Sequence, residues 1–131
     1  MMIREVISIT GEKTLREAIE LFQRHHIRQL PVLEGAKLVG ILSDRDVKRA
    51  TPSPLAGGGM ERYEKVVDST RVAQLMTRNP YCVTPSTPLR DVVKALHDGK
   101  HGAIPVVDHD RLVGLVTATD MLGYLLTLMP E

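Results

Sequence analysis

The apolar positions of the chain change period several times, and each change marks an element. Residues 6–10 (Val-Ile-Ser-Ile-Thr) are rich in β-branched side chains and stop at Gly11, which predicts a strand. Leu15, Ala18, Ile19 and Phe22 then recur at i, i+3, i+4 and i+7, the stripe of a helix with one buried face. Thr14-Leu15-Arg16-Glu17 marks its start, because the threonine hydroxyl and the glutamate carboxylate can cap each other's backbone N–H. The stripe ends near His25 and His26. Two apolar runs, 29–33 and 37–42, follow about a tight turn at 34–36, as in a β-hairpin. Ser43-Asp44-Arg45-Asp46 then opens a second helix.

The same pattern is written again. Displacing the chain by 74 residues lays residues 2–49 on 76–123 without a gap. Eleven of these 48 positions are identical, among them Leu15/Leu89, Pro31/Pro105, Val32/Val106, Gly40/Gly114 and Asp46/Asp120. Elsewhere like replaces like, as in Leu30/Ile104 and Ser43/Thr117. The second copy therefore predicts strands at 81–84, 103–107 and 111–116, a helix at 89–97 that starts beside Pro88, and a final helix from Thr117. Met121 and Met129 fall in that last helix, as core or dimer contact. Each repeat reads β-α-β-β-α, so the chain is α/β (α+β), with repeat one at 1–50, a connector at 51–71 and repeat two at 72–131. One repeat of about 50 residues buries too little apolar surface alone. Two copies about a pseudo-twofold axis would share a core and enclose a symmetry-related pair of crevices.

The connector opens with Pro52, Pro54 and Gly57-Gly58-Gly59, a flexible loop, and 60–68 can form a short helix. Composition narrows the function classes. With 131 residues, a net charge of +1, 3% aromatics and no tryptophan, neither a nucleic-acid footprint nor a base-stacking platform is present. The single cysteine, Cys82, cannot form an internal disulfide and fits a reducing compartment. Residues 1–5 are too charged for a signal peptide, and the apolar run 121–129 is too short to span a bilayer. These observations predict a cytoplasmic protein with no membrane partner.

Leu30-Pro31-Val32-Leu33 with 38–46, and Ile104-Pro105-Val106-Val107 with 112–120, resemble the CBS domain. The tandem resembles the paired form called a Bateman module, and in particular the pair of bacterial acetoin-utilisation-type proteins. That resemblance implies a regulatory module, not an enzyme, that binds AMP, ADP, ATP, S-adenosylmethionine or, more rarely, an NAD-like ligand. It implies an adenine nucleotide as regulatory ligand with no required cofactor, a disc-like homodimer, and an output passed to an unidentified effector protein. The Asp of Ser/Thr-x-x-Asp would hold the ribose hydroxyls, the Ser/Thr hydroxyl the ribose or first phosphate, and the residues before Pro-Val the adenine. Carried over residue by residue, one site takes Ser43, Asp46, Arg28 and Gln29, flanked by Arg45 and closed by Asn79 and Tyr81. The other takes Thr117, Asp120, Gly102 and Ala103, closed by Glu5 and Ile7, with Ile27 on its wall.

The residues themselves admit a plainer reading, in which Ser43-x-x-Asp46 and Thr117-x-x-Asp120 are capping boxes; one residue can do both jobs. A ligand-free dimerisation or protein-docking module is the alternative function. The five histidines show no metal-helix spacing, and neither a nucleophile–base pair nor a phosphate loop is visible. The basic residues separate the two sites. Arg28, Arg45 and Lys48 flank the first, whereas Gly102, Thr119 and Leu122 occupy the matching places of the second and Glu5 adds a negative charge. Phosphorylated nucleotides should therefore prefer the first site. In calorimetric titration with ATP, Asp46→Ala should abolish binding that Asp120→Ala retains, and the opposite pattern would sink this asymmetry.

Overall fold

The computed structural model describes residues 6–99 and 101–131. It mixes α and β elements in two compact units, residues 7–79 and residues 80–131 together with Val6. The first unit holds β1 (Ile9–Thr10), α1 (Leu15–His25), β2 (Gln29–Glu34), β3 (Lys37–Ser43), α2 (Asp44–Ala50), α3 (Gly59–Ser69), α4 (Val72–Leu75) and β4 (Thr77–Arg78). The second holds α5 (Leu89–His97), β5 (Ala103–Asp108), β6 (Arg111–Thr117) and α6 (Ala118–Leu128).

The duplication is legible in the strand registers. β2 and β3 pair antiparallel with Gln29 opposite Ser43, Leu30 opposite Leu42 and Val32 opposite Gly40, and the register shifts between Val32 and Leu33. β5 and β6 repeat this at equivalent positions: Ala103 opposite Thr117, Ile104 opposite Val116, Val106 opposite Gly114, with the shift between Val106 and Val107. Leu30, Val32 and Leu42 face one core with Leu15, Ala18 and Phe22. Ile104, Val106 and Val116 face a second core with Val92 and Met121. The even-numbered apolar positions of each hairpin point to its core, but Pro31, Ala103 and Pro105 beside them are buried as well, so β2 and β5 do not keep the strict alternation of a half-buried strand.

The opening strands are shorter than their β-branched composition predicts. β1 is only Ile9–Thr10, parallel to Val32–Leu33 of β2. The second repeat has a single parallel bridge there, with Val83 N–H donating to the Pro105 carbonyl at 3.0 Å and Val107 N–H to Val83 at 2.8 Å. Pro31 and Pro105 account for both. Extending either ladder backwards would require an N–H from the proline, which has none.

The connector becomes part of the first core. Val67 of α3 is fully buried there with Tyr63 and Val66 packed against the same core, and Val72 of α4, the first residue of the predicted second repeat, is fully buried beside it. The segment after α3 is stitched to the β1–α1 loop. Leu15 N–H donates to Thr70 at 2.8 Å, Val72 N–H to Lys13 at 2.9 Å and Ala73 N–H to Gly11 at 2.9 Å. β4 then adds to β3, Arg78 opposite Gly40 and Thr77 opposite Ile41. Gly40 permits this approach: a Cβ there would lie 2.5 Å from the Met76 sulfur and 3.0 Å from the Thr77 carbonyl oxygen.

Arg16 of α1 clasps Asp68 of α3 through two hydrogen bonds, Nε to Oδ1 at 2.6 Å and Nη2 to Oδ2 at 3.2 Å. That guanidinium holds the Asp68 carboxyl below its ordinary range. A carboxyl depressed by folding contributes stability above its unfolded pKa, and the contribution is lost as pH falls through the folded value. Asp68→Asn should therefore lower Tm modestly at pH 7. In melts across a pH series, the gap to the parent protein should close in acid, once Asp68 is itself protonated.

Candidate functional site

Ser43 is the last residue of β3 and the N-cap of α2, in extended conformation. Its hydroxyl accepts from Asp46 N–H at 3.0 Å, and Asp46 Oδ2 accepts from Ser43 N–H at 2.9 Å. The second unit builds the same corner: Asp120 N–H donates to Thr117 Oγ1 at 3.1 Å and Thr117 N–H to Asp120 Oδ2 at 3.0 Å. The plain reading of both motifs as reciprocal caps is therefore present in the structure. It does not exhaust them. Each hydroxyl serves its cap as an acceptor, so its own proton is not consumed by that bond. Asp46 uses Oδ2 for the cap, while Oδ1 lies 4.0 Å from Arg49, a long and exposed pairing.

The hairpin register sets Gln29 directly opposite Ser43, and the Arg28 carbonyl accepts from Asp44 N–H at 2.9 Å. Ser43, Asp46, Arg28 and Gln29 thus meet at one end of the β2–β3 hairpin. Ser43, Asp46 and Gln29 are half-buried, whereas Arg28 and Arg45 are exposed. Lys48 pairs with Asp44 at 3.6 Å. Among the described residues, neither Arg28 nor Arg45 enters an ion pair, so two exposed cations flank this corner. The Asn79 N–H reaches the Val39 carbonyl at 3.4 Å with a left-handed backbone, φ 50°. Ser43 lies four residues further along β3, about 13 Å. Ile7 and Ile27 pack as partly buried residues against the first core.

In the second unit, Gly102 and Ala103 adjoin Thr117 through the Ala103–Thr117 pair. Tyr81 stacks on His101, ring centroids 4.8 Å apart and planes 18° from parallel. Nothing in the local sequence links two rings so far apart along the chain. Both line an open groove of about 280 Å³ with Asp91, Lys94, Ala95 and Asp98. Glu5 lies outside the described residues. A groove of about 450 Å³ between β1, α1 and the 33–35 turn includes none of the expected ligand residues. Cys82 is exposed. Among the described residues, no cluster of three or more His, Cys, Asp or Glu gathers as a metal would need, and no helix is long and apolar enough to cross a membrane.

A β-hairpin ending in a capped Ser/Thr-x-x-Asp corner, built twice in one register, defines a duplicated small domain with two equivalent corners. The chain belongs to the CBS domain family, whose family model matches residues 1–53 and 72–127. It is 31% identical to a CBS domain-containing protein of Dictyostelium discoideum over 98% of this chain and 90% of that one. Among solved structures, it is similar to the acetoin utilization protein AcuB of Vibrio cholerae (TM-score 0.80, 27% identity, 98% of this chain and 88% of that one). It is also similar to CBSX2 of Arabidopsis thaliana solved in complex with AMP (TM-score 0.79, 27% identity, 98% and 93%).

Removing the cap has a cost independent of any ligand. In ligand-free protein, Ser43→Ala should destabilise folding by about 1 kcal/mol in urea titration, and Ser43→Thr should restore most of it.

Proposed function

We propose that this chain is a regulatory module that binds an adenosyl ligand at its Ser/Thr-x-x-Asp corners and performs no catalysis of its own. The observation that carries the reading is the corner itself, made twice from the same residue types at the same strand register. At the first corner, Asp46 would accept from the vicinal hydroxyls of a ribose and the Ser43 hydroxyl would donate to ribose or phosphate oxygen. Arg28 and Gln29 would border the base, and Arg28 with Arg45 would neutralise phosphate charge. Thr117, Asp120, Gly102 and Ala103 would form the second corner, where Gly102 and Thr119 stand at the places of Arg28 and Arg45, so a less anionic adenosyl compound fits it better. The AMP bound by CBSX2, a protein 27% identical to this one, supports the ligand class. Asn79, Tyr81, Ile7 and Ile27 belong to the proposal as peripheral contacts. The module would act as a homodimer in the cytoplasm and pass its state to an effector protein.

A thermal-shift series with AMP, ADP, ATP, NAD and S-adenosylmethionine tests this. A ligand at a hundred times its Kd should stabilise by about 2.7 kcal/mol, a rise of several degrees in Tm. One adenosyl compound should give that rise, and Asp46→Ala or Asp120→Ala should remove it. Folded, ligand-free protein that responds to none of them would leave the docking module as the better reading.

A further inference from the structure

Besides the corners, the two repeats share a second concave place. The groove of about 450 Å³ in the first unit takes Glu17, Glu20, Leu21 and Arg24 from α1. The groove of about 280 Å³ bordered by Tyr81 and His101 takes Asp91, Lys94, Ala95 and Asp98 from α5. These are the same four positions displaced by 74, so the first helix of each repeat turns one stripe of side chains to a groove. The groove recurs with the fold, and its chemistry does not. Along the stripe the first repeat reads acid, acid, leucine, base, and the second acid, base, alanine, acid.

Around the first groove the charges cancel, Lys13 and Arg24 against Glu17 and Glu20. Lys13 pairs with Glu17 at 3.6 Å, and Glu17 also accepts from the Thr14 N–H. Among the described residues, Glu20 and Arg24 enter no ion pair, with each other or with a third group, and both are exposed. They stand one helical turn apart, about 6 Å between Cβ atoms. Ile9 is buried and Leu21 and Leu33 are half-buried, and these three supply apolar wall beside them.

We propose that the first groove binds a small α-amino acid with an apolar side chain. The Arg24 guanidinium takes its carboxylate through paired N–H donors, and the Glu20 carboxylate takes its ammonium. The side chain lies against Ile9, Leu21 and Leu33. Charge selects this class: a lining of zero net charge gives no advantage to phosphate esters or polyamines, which bring an excess of one sign. Size agrees, because the groove falls in the lower range of small-molecule sites. The second groove is not an equivalent site. Asp98 at the place of Arg24 repels a carboxylate, and Ala95 at the place of Leu21 offers less apolar wall. The inference goes beyond the adenosyl reading and does not rest on it, since none of these residues belongs to a corner.

Titration calorimetry of the full chain with L-leucine, L-methionine and L-phenylalanine tests it. At least one should bind, and Arg24→Gln and Glu20→Gln should each weaken that binding by about tenfold or more. The amide of the bound amino acid, which lacks the carboxylate, and its deaminated acid, which lacks the ammonium, should lose as much. Lys94→Gln, on the matching stripe of α5, should leave binding unchanged. Because Glu20 and Arg24 are exposed and unpaired, their variants should keep the parent circular dichroism spectrum. Neither heat nor a rise in Tm with any of the three at about 10 mM would overturn the site. Binding that both charge variants leave intact, or that Lys94→Gln weakens instead, would also overturn it. An amide or deaminated acid that binds as well as the amino acid would overturn the assigned ligand class. The adenosyl reading is judged separately, by the thermal-shift series.

Discussion

A slip of one residue between β2 and β3 would undo this protein. Leu30, Val32 and Leu42 would turn from the core to the opposite face, and Gln29 would no longer stand across from Ser43. The same holds for Ile104, Val106 and Val116 and for Ala103 across from Thr117. Hydrophobic burial therefore sets the register, and the register sets the geometry of the polar corner. The apolar residues that hold each hairpin are also what aim its Ser/Thr-x-x-Asp motif.

The cap at each corner would not compete with the ligand use proposed for it. Capping takes the hydroxyl as acceptor and one carboxylate oxygen. Ribose recognition asks for further acceptor capacity on the carboxylate and for the hydroxyl proton. A preformed cap also fixes both side chains before any ligand arrives, which reduces the ordering cost of binding. The choice between a structural and a ligand-binding motif, which the sequence leaves open, thus rests on a false opposition at the level of atoms.

The two repeats have diverged in ways that follow from their neighbours. In the first unit, α3 and the backbone bonds of residues 70–73 seal α1 and leave α2 polar and basic. In the second, Leu89 and Val93 of α5 and Leu122, Leu125 and Leu126 of α6 stay exposed. Equal hairpins thus carry unequal surfaces, one with exposed cations at Arg28 and Arg45, the other with exposed apolar side chains on α5 and α6.

Much was legible in advance, because local periodicity and the repeat report on nearest neighbours in the chain. Those signals determined the helices at α1 and α5, both hairpins, the caps at Thr14, Ser43 and Thr117, and the adjacency of Arg28 and Gln29 to Ser43. Tertiary structure decided what depends on partners distant in sequence. Pro31 and Pro105 cut the parallel ladders short, despite strong β propensity at 6–10 and 81–84. The connector entered the first core through Val67, joined there by Val72 at the start of the predicted second repeat, because α1 offered an apolar side to cover. Tyr81 met His101, and the Asn79 N–H met the Val39 carbonyl. Alternation and capping are written in residues a few positions apart. Long-range pairing is a competition among surfaces, and only the folded chain settles which of them meet.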